Sequence, residues 1–197
     1  MFEQLDEKAP LLFLAGGALY AVLAANRLLA TFVGTSYWFA STFAWAGTVL
    51  VLLGLLGLYP ALVERRPYLS RVGAAVALIA AFASFVVLVG ELIKAAGLLS
   101  EAPGPLWVSP FVGMFGADLA FLVFGGAVLL TGTHPRVVGG LLLLLPITLP
   151  LWFTVLSSVP SYYSDLLALV VYFGIGFALW TDIGRRANPA NTTESSA

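Results

Sequence analysis

Cysteine is absent from this chain, and His134 is its one histidine. The lack of thiols excludes disulfides, thiolate metal sites, iron–sulfur clusters and cysteine nucleophiles. A single imidazole falls short of what most zinc or haem sites use, so no metal or organic cofactor is expected. Charge is also scarce: 10% of the residues carry one, against about 25% in soluble domains. Lysine occurs only as Lys8 and Lys94. The net charge of -1 argues against a nucleic-acid partner. No polar stretch is long enough for a second domain. The opening Met-Phe-Glu-Gln-Leu-Asp-Glu-Lys is acidic, unlike the basic start of a signal peptide, so the first apolar segment is expected to be retained.

What is present is hydrocarbon. Of 197 residues, 60% are hydrophobic, and the mean hydropathy is +1.00. A soluble fold of this length could not hide so much apolar surface. The expected class is an all-α integral membrane protein. A crossing needs about 20 apolar residues, and six segments qualify: Pro10 to Phe32, Ser36 to Leu58, Val72 to Leu98, Pro110 to Thr131, Val137 to Leu156, and Ser161 to Thr181. Runs such as Leu141 to Leu145 lack the polar–apolar alternation of a β-barrel strand. The reading is a single domain over residues 1–187, a six-helix bundle with short loops, followed by a disordered tail over 188–197.

Basic residues set the expected orientation, because cytoplasmic loops are enriched in Lys and Arg. Lys8, Arg65, Arg66, Arg71, Arg136, Arg185 and Arg186 all fall on one side if six spans leave both termini in the cytoplasm. The opposite loops (Gly34-Thr35, Ser100 to Trp107, Ser157 to Val159) contain no Lys or Arg. The low lysine and the Ala, Leu, Val and Gly content fit a prokaryotic plasma membrane. The segments Arg66-Pro67-Tyr68-Leu69-Ser70-Arg71-Val72-Gly73 and His134-Pro135-Arg136-Val137-Val138-Gly139 echo each other. They are either a duplicated hairpin or two ordinary proline-stopped turns.

Five charged residues remain inside the apolar runs: Arg27, Glu91, Lys94, Asp118 and Asp165. A charge at bilayer depth costs roughly 2.5–3.5 kcal/mol on insertion scales, so it needs a partner, an aqueous cavity or a route to the interface. Asp118 lies deepest, behind Gly113 and Gly116, which let a neighbour approach closely. It reads as a ligand, ion or proton site, or as the partner of Arg27 or Lys94. Glu91 and Lys94 share a helix face at i, i+3 and are expected to pair, unless both converge on Asp118. Arg27 either reaches headgroup phosphates or offers a bidentate contact to an anion. Asp165 opens span six, where a carboxylate complements the helix dipole. Pro146 and Pro150 each remove a backbone hydrogen bond within span five. Two cations and three acids leave one acid over.

Catalysis has little support. His134 belongs to the cytoplasmic side, so no Ser/His/Asp set assembles with the membrane carboxylates. Gly116-Ala117-Asp118 departs from the Gly-x-Gly-Asp pattern of two-aspartate intramembrane proteases. The chain is expected not to be an enzyme. The leading expectation is a transporter-like or ligand-binding protein with a polar, charge-lined pocket in the outer half of the bilayer. Six short-looped spans with both ends inside resemble, in architecture alone, the substrate-binding components of vitamin uptake systems. The competing expectation is a non-catalytic accessory or scaffold subunit. Expected partners are membrane lipids, together with a homo-oligomer or a larger membrane complex. Glycine pairs such as Gly54 and Gly57, Gly125 and Gly126, and Gly174 and Gly176 would suit helix–helix contacts of either kind.

Overall fold

The computed structural model describes residues 2–37, 39–98, 108–154 and 162–187, without the side chains of 2–4, 148–154 and 185–187. It is helical throughout the regular elements: α1 (Phe2–Phe32), α2 (Ala40–Gly57), α3 (Tyr59–Val63), α4 (Pro67–Ala95), α5 (Ser109–Thr131), α6 (Arg136–Thr154) and α7 (Tyr162–Ala187). The expected tail and the outer loops at 100–107 and 157–159 lie outside the described residues.

Five helices are long and apolar enough to cross a membrane: α1 over Leu5–Phe32, α2, α4, α5, and α7 over Tyr162–Gly184. The sixth expected span falls on α6, which over Arg136–Ile147 is apolar but shorter than a crossing needs. Two boundaries differ from the sequence expectation. Helix α1 runs through Pro10 from Phe2 instead of starting at the proline. The acidic first turns suit a helix N-terminus, and Pro10 within the helix leaves the Asp6 carbonyl without its helical donor. Helix α4 begins at Pro67, because a proline at the first helical position already has the required φ and lacks only an amide with no helical partner. The short α3 was not anticipated.

The helices form a ring, in which α1 packs on α2, α2 on α4, α4 on α5, α5 on α6, α6 on α7, and α7 back on α1. Neighbours alternate in direction. Gly54 lies against Phe13, and Gly47 against Gly16. Gly113 meets Ser84, while Gly73 meets Phe124. On the closing side Gly176 lies against Leu14 and Gly17 against Tyr172. The start of α1 and the end of α7 therefore share one end of the bundle, together with α3, the α5–α6 turn and all seven peripheral basic residues. This end is called the inner end below.

Helix α4 packs small residues inward and large ones outward, the reverse of a soluble bundle. The buried face of α4 is Gly73, Ala74, Ala77, Ala80, Ala81, Ala83 and Ser84, whereas Ile79, Phe82 and Phe85 are exposed. In lipid, large apolar side chains gain nothing by turning inward, while small ones let backbones come close. At the α1–α2 crossing a Cβ on Gly47 would stand 2.7 Å from the Gly16 carbonyl oxygen. Gly54, Gly57, Gly125, Gly174 and Gly176 are likewise occupied by contacts within the chain, while Gly126 faces open space. So most of the glycines expected to serve association are spent internally.

This asymmetry is testable. Gly47→Ala should lower stability by about 1–3 kcal/mol, as overpacking does. Gly126→Ala should be neutral or gain roughly 0.5–1 kcal/mol from helix propensity. Thermal unfolding of the purified protein in detergent reads both, and equal effects at the two sites would contradict the packing described.

Candidate functional site

All five intramembrane charges lie toward the outer end, but they do not form one cluster. Arg27, near the end of α1, meets Asp165, near the start of α7, with Nε 3.1 Å from Oδ2. Asp165 is buried, and the Arg27 side chain is 41% exposed. The contact is an ion pair without hydrogen-bond alignment, since Asp165 Oδ2 accepts no hydrogen bond among the described residues. The Phe32 and Tyr162 rings, 5.9 Å apart, stand at the outer side of this pair. Just beyond, Asn26 Oδ1 accepts a hydrogen bond from the Tyr37 amide at 2.6 Å, which ties the α1–α2 connection to α1.

Two of the sequence expectations change here. Arg27 binds Asp165 instead of Asp118, so Asp165 is more than a dipole-complementing first-turn acid. The antiparallel α1–α7 pair makes this possible, because it brings the last turns of one helix beside the first turns of the other. The Glu91–Lys94 pair does not form either. Among the described residues no ion pair joins them, and Glu91 Oε2 instead accepts a hydrogen bond from Ser41 Oγ of α2 at 3.2 Å. Packing of α2 against α4 offers Glu91 a partner that is invisible in local spacing. Ser41, Glu91, Lys94 and Ala95 line a cavity of about 530 Å³ at the outer end of α2 and α4.

Asp118 stands apart. Its Oδ2 is buried and has no hydrogen-bond partner among the described residues. The α5–α6 register shows what lies opposite. A Cβ on Gly125 would come 3.1 Å from the Gly139 carbonyl oxygen, and one on Gly139 the same distance from that of Gly125. Seven residues make two turns and return nearly to the same face. Seven residues outward along each helix are Asp118 and Pro146, so the two stand level across the α5–α6 seam. Pro146 is buried and has no amide hydrogen, which leaves the Leu142 carbonyl without its helical donor. Carboxylate and freed carbonyl are both acceptors.

The remaining walls come from residues that sequence reasoning did not single out. Tyr20 and Tyr172 lie seven residues inward of Arg27 and Asp165 respectively, so they stack beneath the ion pair on the same α1–α7 seam. Their rings meet edge to face at 5.6 Å, and Phe121, one turn from Asp118, lies 6.2 Å from Tyr172. Asp118 is within electrostatic reach of both tyrosines. Thr42 Oγ1 and Ser84 Oγ are two more buried oxygens of the outer half without a partner among the described residues. Polar-tipped rings and hydroxyls inside apolar spans were the available signal. They are common enough in membrane helices that only packing distinguishes these.

Toward the inner end the interior turns apolar. Phe13, Leu52, Leu55, Leu62, Phe124, Val128, Val138 and Leu142 are fully buried. At the inner mouth itself, Asp6, Glu7, His134 and Asp182 help line a separate cavity of about 180 Å³. His134 is buried and stays on the side of the bundle expected for it, remote from the outer acids. Among the described residues no group of three or more His, Asp or Glu side chains is placed to hold a metal ion. No protein-family model, curated protein or solved structure matches the chain.

The ion pair gives a quantitative expectation. Arg27→Ala leaves a buried carboxylate alone and should cost roughly 1–3 kcal/mol, scaled down from a fully buried pair because the arginine is partly exposed. Adding Asp165→Asn should restore part of that loss. Unfolding of the two single variants and the double variant forms a cycle, and strictly additive losses would show that the pair does not couple α1 to α7.

Proposed function

We propose that the chain crosses a prokaryotic plasma membrane six times with both termini cytoplasmic, and that it binds or transports a positively charged ligand at Asp118 in the outer half of the bilayer. The topology is supported by the alternating ring and by the seven peripheral basic residues at the end where α1 starts and α7 finishes. Over the cytoplasmic leaflet such residues meet anionic lipid.

The functional reading rests on one observation: the buried Asp118 carboxyl oxygen without a partner. Arg27 is engaged by Asp165 and cannot also neutralise Asp118. Lys94 forms no ion pair with any acid among the described residues, and Glu91 has Ser41 as its partner, so Asp118 is the acid whose buried oxygen has neither an ion pair nor a hydrogen bond there. Tyr20 and Tyr172 are within its electrostatic reach, and the α6 sequence opposite, outward of Gly139, contains no basic residue. A ligand that satisfies this set must donate hydrogen bonds or carry positive charge, as a small cation or an ammonium group does. Tyrosine faces nearby suit the same charge. Nothing in the arrangement provides a nucleophile with a base, which supports a binding or transport role over catalysis.

An accessory-subunit reading draws on Gly126 and Gly140, which have nothing within 4 Å and lie on the adjacent helices α5 and α6. A partner helix could approach closely there. Native mass spectrometry of gently extracted protein separates the readings, since a stoichiometric foreign subunit favours this one.

The absence of cysteine makes a direct test simple. In single-cysteine variants, Asp118→Cys should react with a membrane-impermeant thiol reagent added from outside and not from inside. Asp118→Asn should abolish ligand binding or uptake while leaving thermal stability close to that of the parent. Silence at 118 from both sides, or full activity in the asparagine variant, would overturn the proposal.

A further inference from the structure

The cavity at the outer end of α2 and α4 is distinct from the Asp118 site, since neither Asp118, Arg27 nor Asp165 lines it. Its two charges are opposite in sign and one helical turn apart on α4, the spacing at which acid and base ordinarily neutralise each other. Here they do not. Glu91 turns to α2 and accepts a hydrogen bond from Ser41, and no ion pair joins it to Lys94 among the described residues. Lys94 sits in the last turn of α4, where the helix dipole favours a cation, and its side chain is exposed. The result is a cavity of about 530 Å³ with separate anionic and cationic poles, a volume within the usual range for a small-molecule site.

We propose that this cavity binds a zwitterionic phosphate ester, with a primary ammonium on Glu91 and Ser41 and a phosphate on Lys94. The chemistry is specific at each end. Glu91 Oε2 and the Ser41 hydroxyl oxygen both accept from an ammonium that still carries hydrogens, which a trimethylated ammonium cannot provide. Lysine is a point-charge phosphate binder with three donors. Because α4 ends beside the cavity, the site stands where the apolar part of the bundle stops and headgroups begin. The same ligand chemistry has two sources, the headgroup of an ethanolamine phospholipid or a soluble phosphoethanolamine. The proposal does not rest on the role given to Asp118, and its readout is ligand retention rather than transport.

The test uses the full chain purified in mild detergent. Native mass spectrometry follows retention of phosphatidylethanolamine, phosphatidylcholine and phosphatidylglycerol with identical acyl chains, and calorimetry follows free phosphoethanolamine. The ethanolamine lipid should be retained roughly tenfold over the other two, the worth of one hydrogen bond to a charged group. Glu91→Gln should erase that preference while sparing phosphatidylglycerol, and Lys94→Gln should weaken retention of all three. Glu91→Gln keeps side-chain size, Lys94→Gln shortens an exposed side chain, and an unchanged melting temperature confirms that the fold is intact in each. Binding of free phosphoethanolamine as tight as that of the lipid identifies a soluble ligand. Binding of the lipid alone identifies the headgroup. Equal retention of the three lipids without phosphoethanolamine binding, or parent-like retention in both variants, would overturn the assignment.

Discussion

Arg27 and Asp165 meet 3.1 Å apart where α1 and α7 run side by side, and the charge balance of the outer half follows from that contact. An arginine is always cationic in a protein, so it serves whichever acid it reaches. By reaching Asp165 it removes the only cation of α1 that could have neutralised the interior. Lys94 lines a different cavity with Glu91. Asp118 is left with a buried carboxyl oxygen that has no hydrogen-bond partner among the described residues. The same contact closes the ring, because α1 and α7 are the first and last of its helices. Breaking it would therefore loosen the bundle as well as redistribute charge, and the Tyr20–Tyr172 contact two turns below would lose the clamp above it.

A second constraint is the medium. Lipid tails compete with the protein interior for apolar side chains, so close approach of backbones has to supply the attraction between helices. The reciprocal glycine contacts at Gly16 and Gly47, and at Gly125 and Gly139, supply it at two of the ring's seams. They also fix register. Once Gly125 is locked against Gly139, Asp118 must stand level with Pro146, and the depth of the site follows from the packing of small residues far from it.

Much of this was legible in the sequence, for a physical reason. Helix formation in a membrane is nearly compulsory, because every backbone amide and carbonyl must find a partner within its own segment. Apolar run length thus marked α1, α2, α4, α5 and α7, and the placement of Arg65, Arg66, Arg71 and Arg136 matched the alternation of directions. The partners of the charges were not legible. Glu91 and Lys94 sit at a pairing distance along α4, and only the position of Ser41 on α2 shows why Glu91 turns away. Arg27 and Asp165 are separated by most of the chain, so their meeting depends on which helices are neighbours in the ring. Sequence spacing sees contacts within a helix and is blind to contacts across a seam. Tyr20 and Tyr172 escaped attention for the same reason.

The depth profile of the interior bears on how such a site would operate. Among the described residues, buried oxygens without a hydrogen-bond partner occur at Thr42, Ser84, Asp118 and Asp165, all on the outer side, the last of them ion-paired with Arg27. Between Asp118 and the inner mouth the described interior is largely apolar, with Phe13, Leu52, Leu55, Phe124, Val128, Val138 and Leu142 fully buried and Tyr172 and Ser70 as buried side chains that carry a hydroxyl. A continuous pore would need polar or hydrated groups through that zone, since an ion cannot cross dry hydrocarbon without a large penalty. The α5–α6 seam is one where a helix has lost a hydrogen bond, at Pro146. It is also where the two helices are held at Gly125 and Gly139, two turns inward of the acid. This seam is thus packed closely two turns inward of Asp118, and the α6 backbone lacks one helical hydrogen bond level with it.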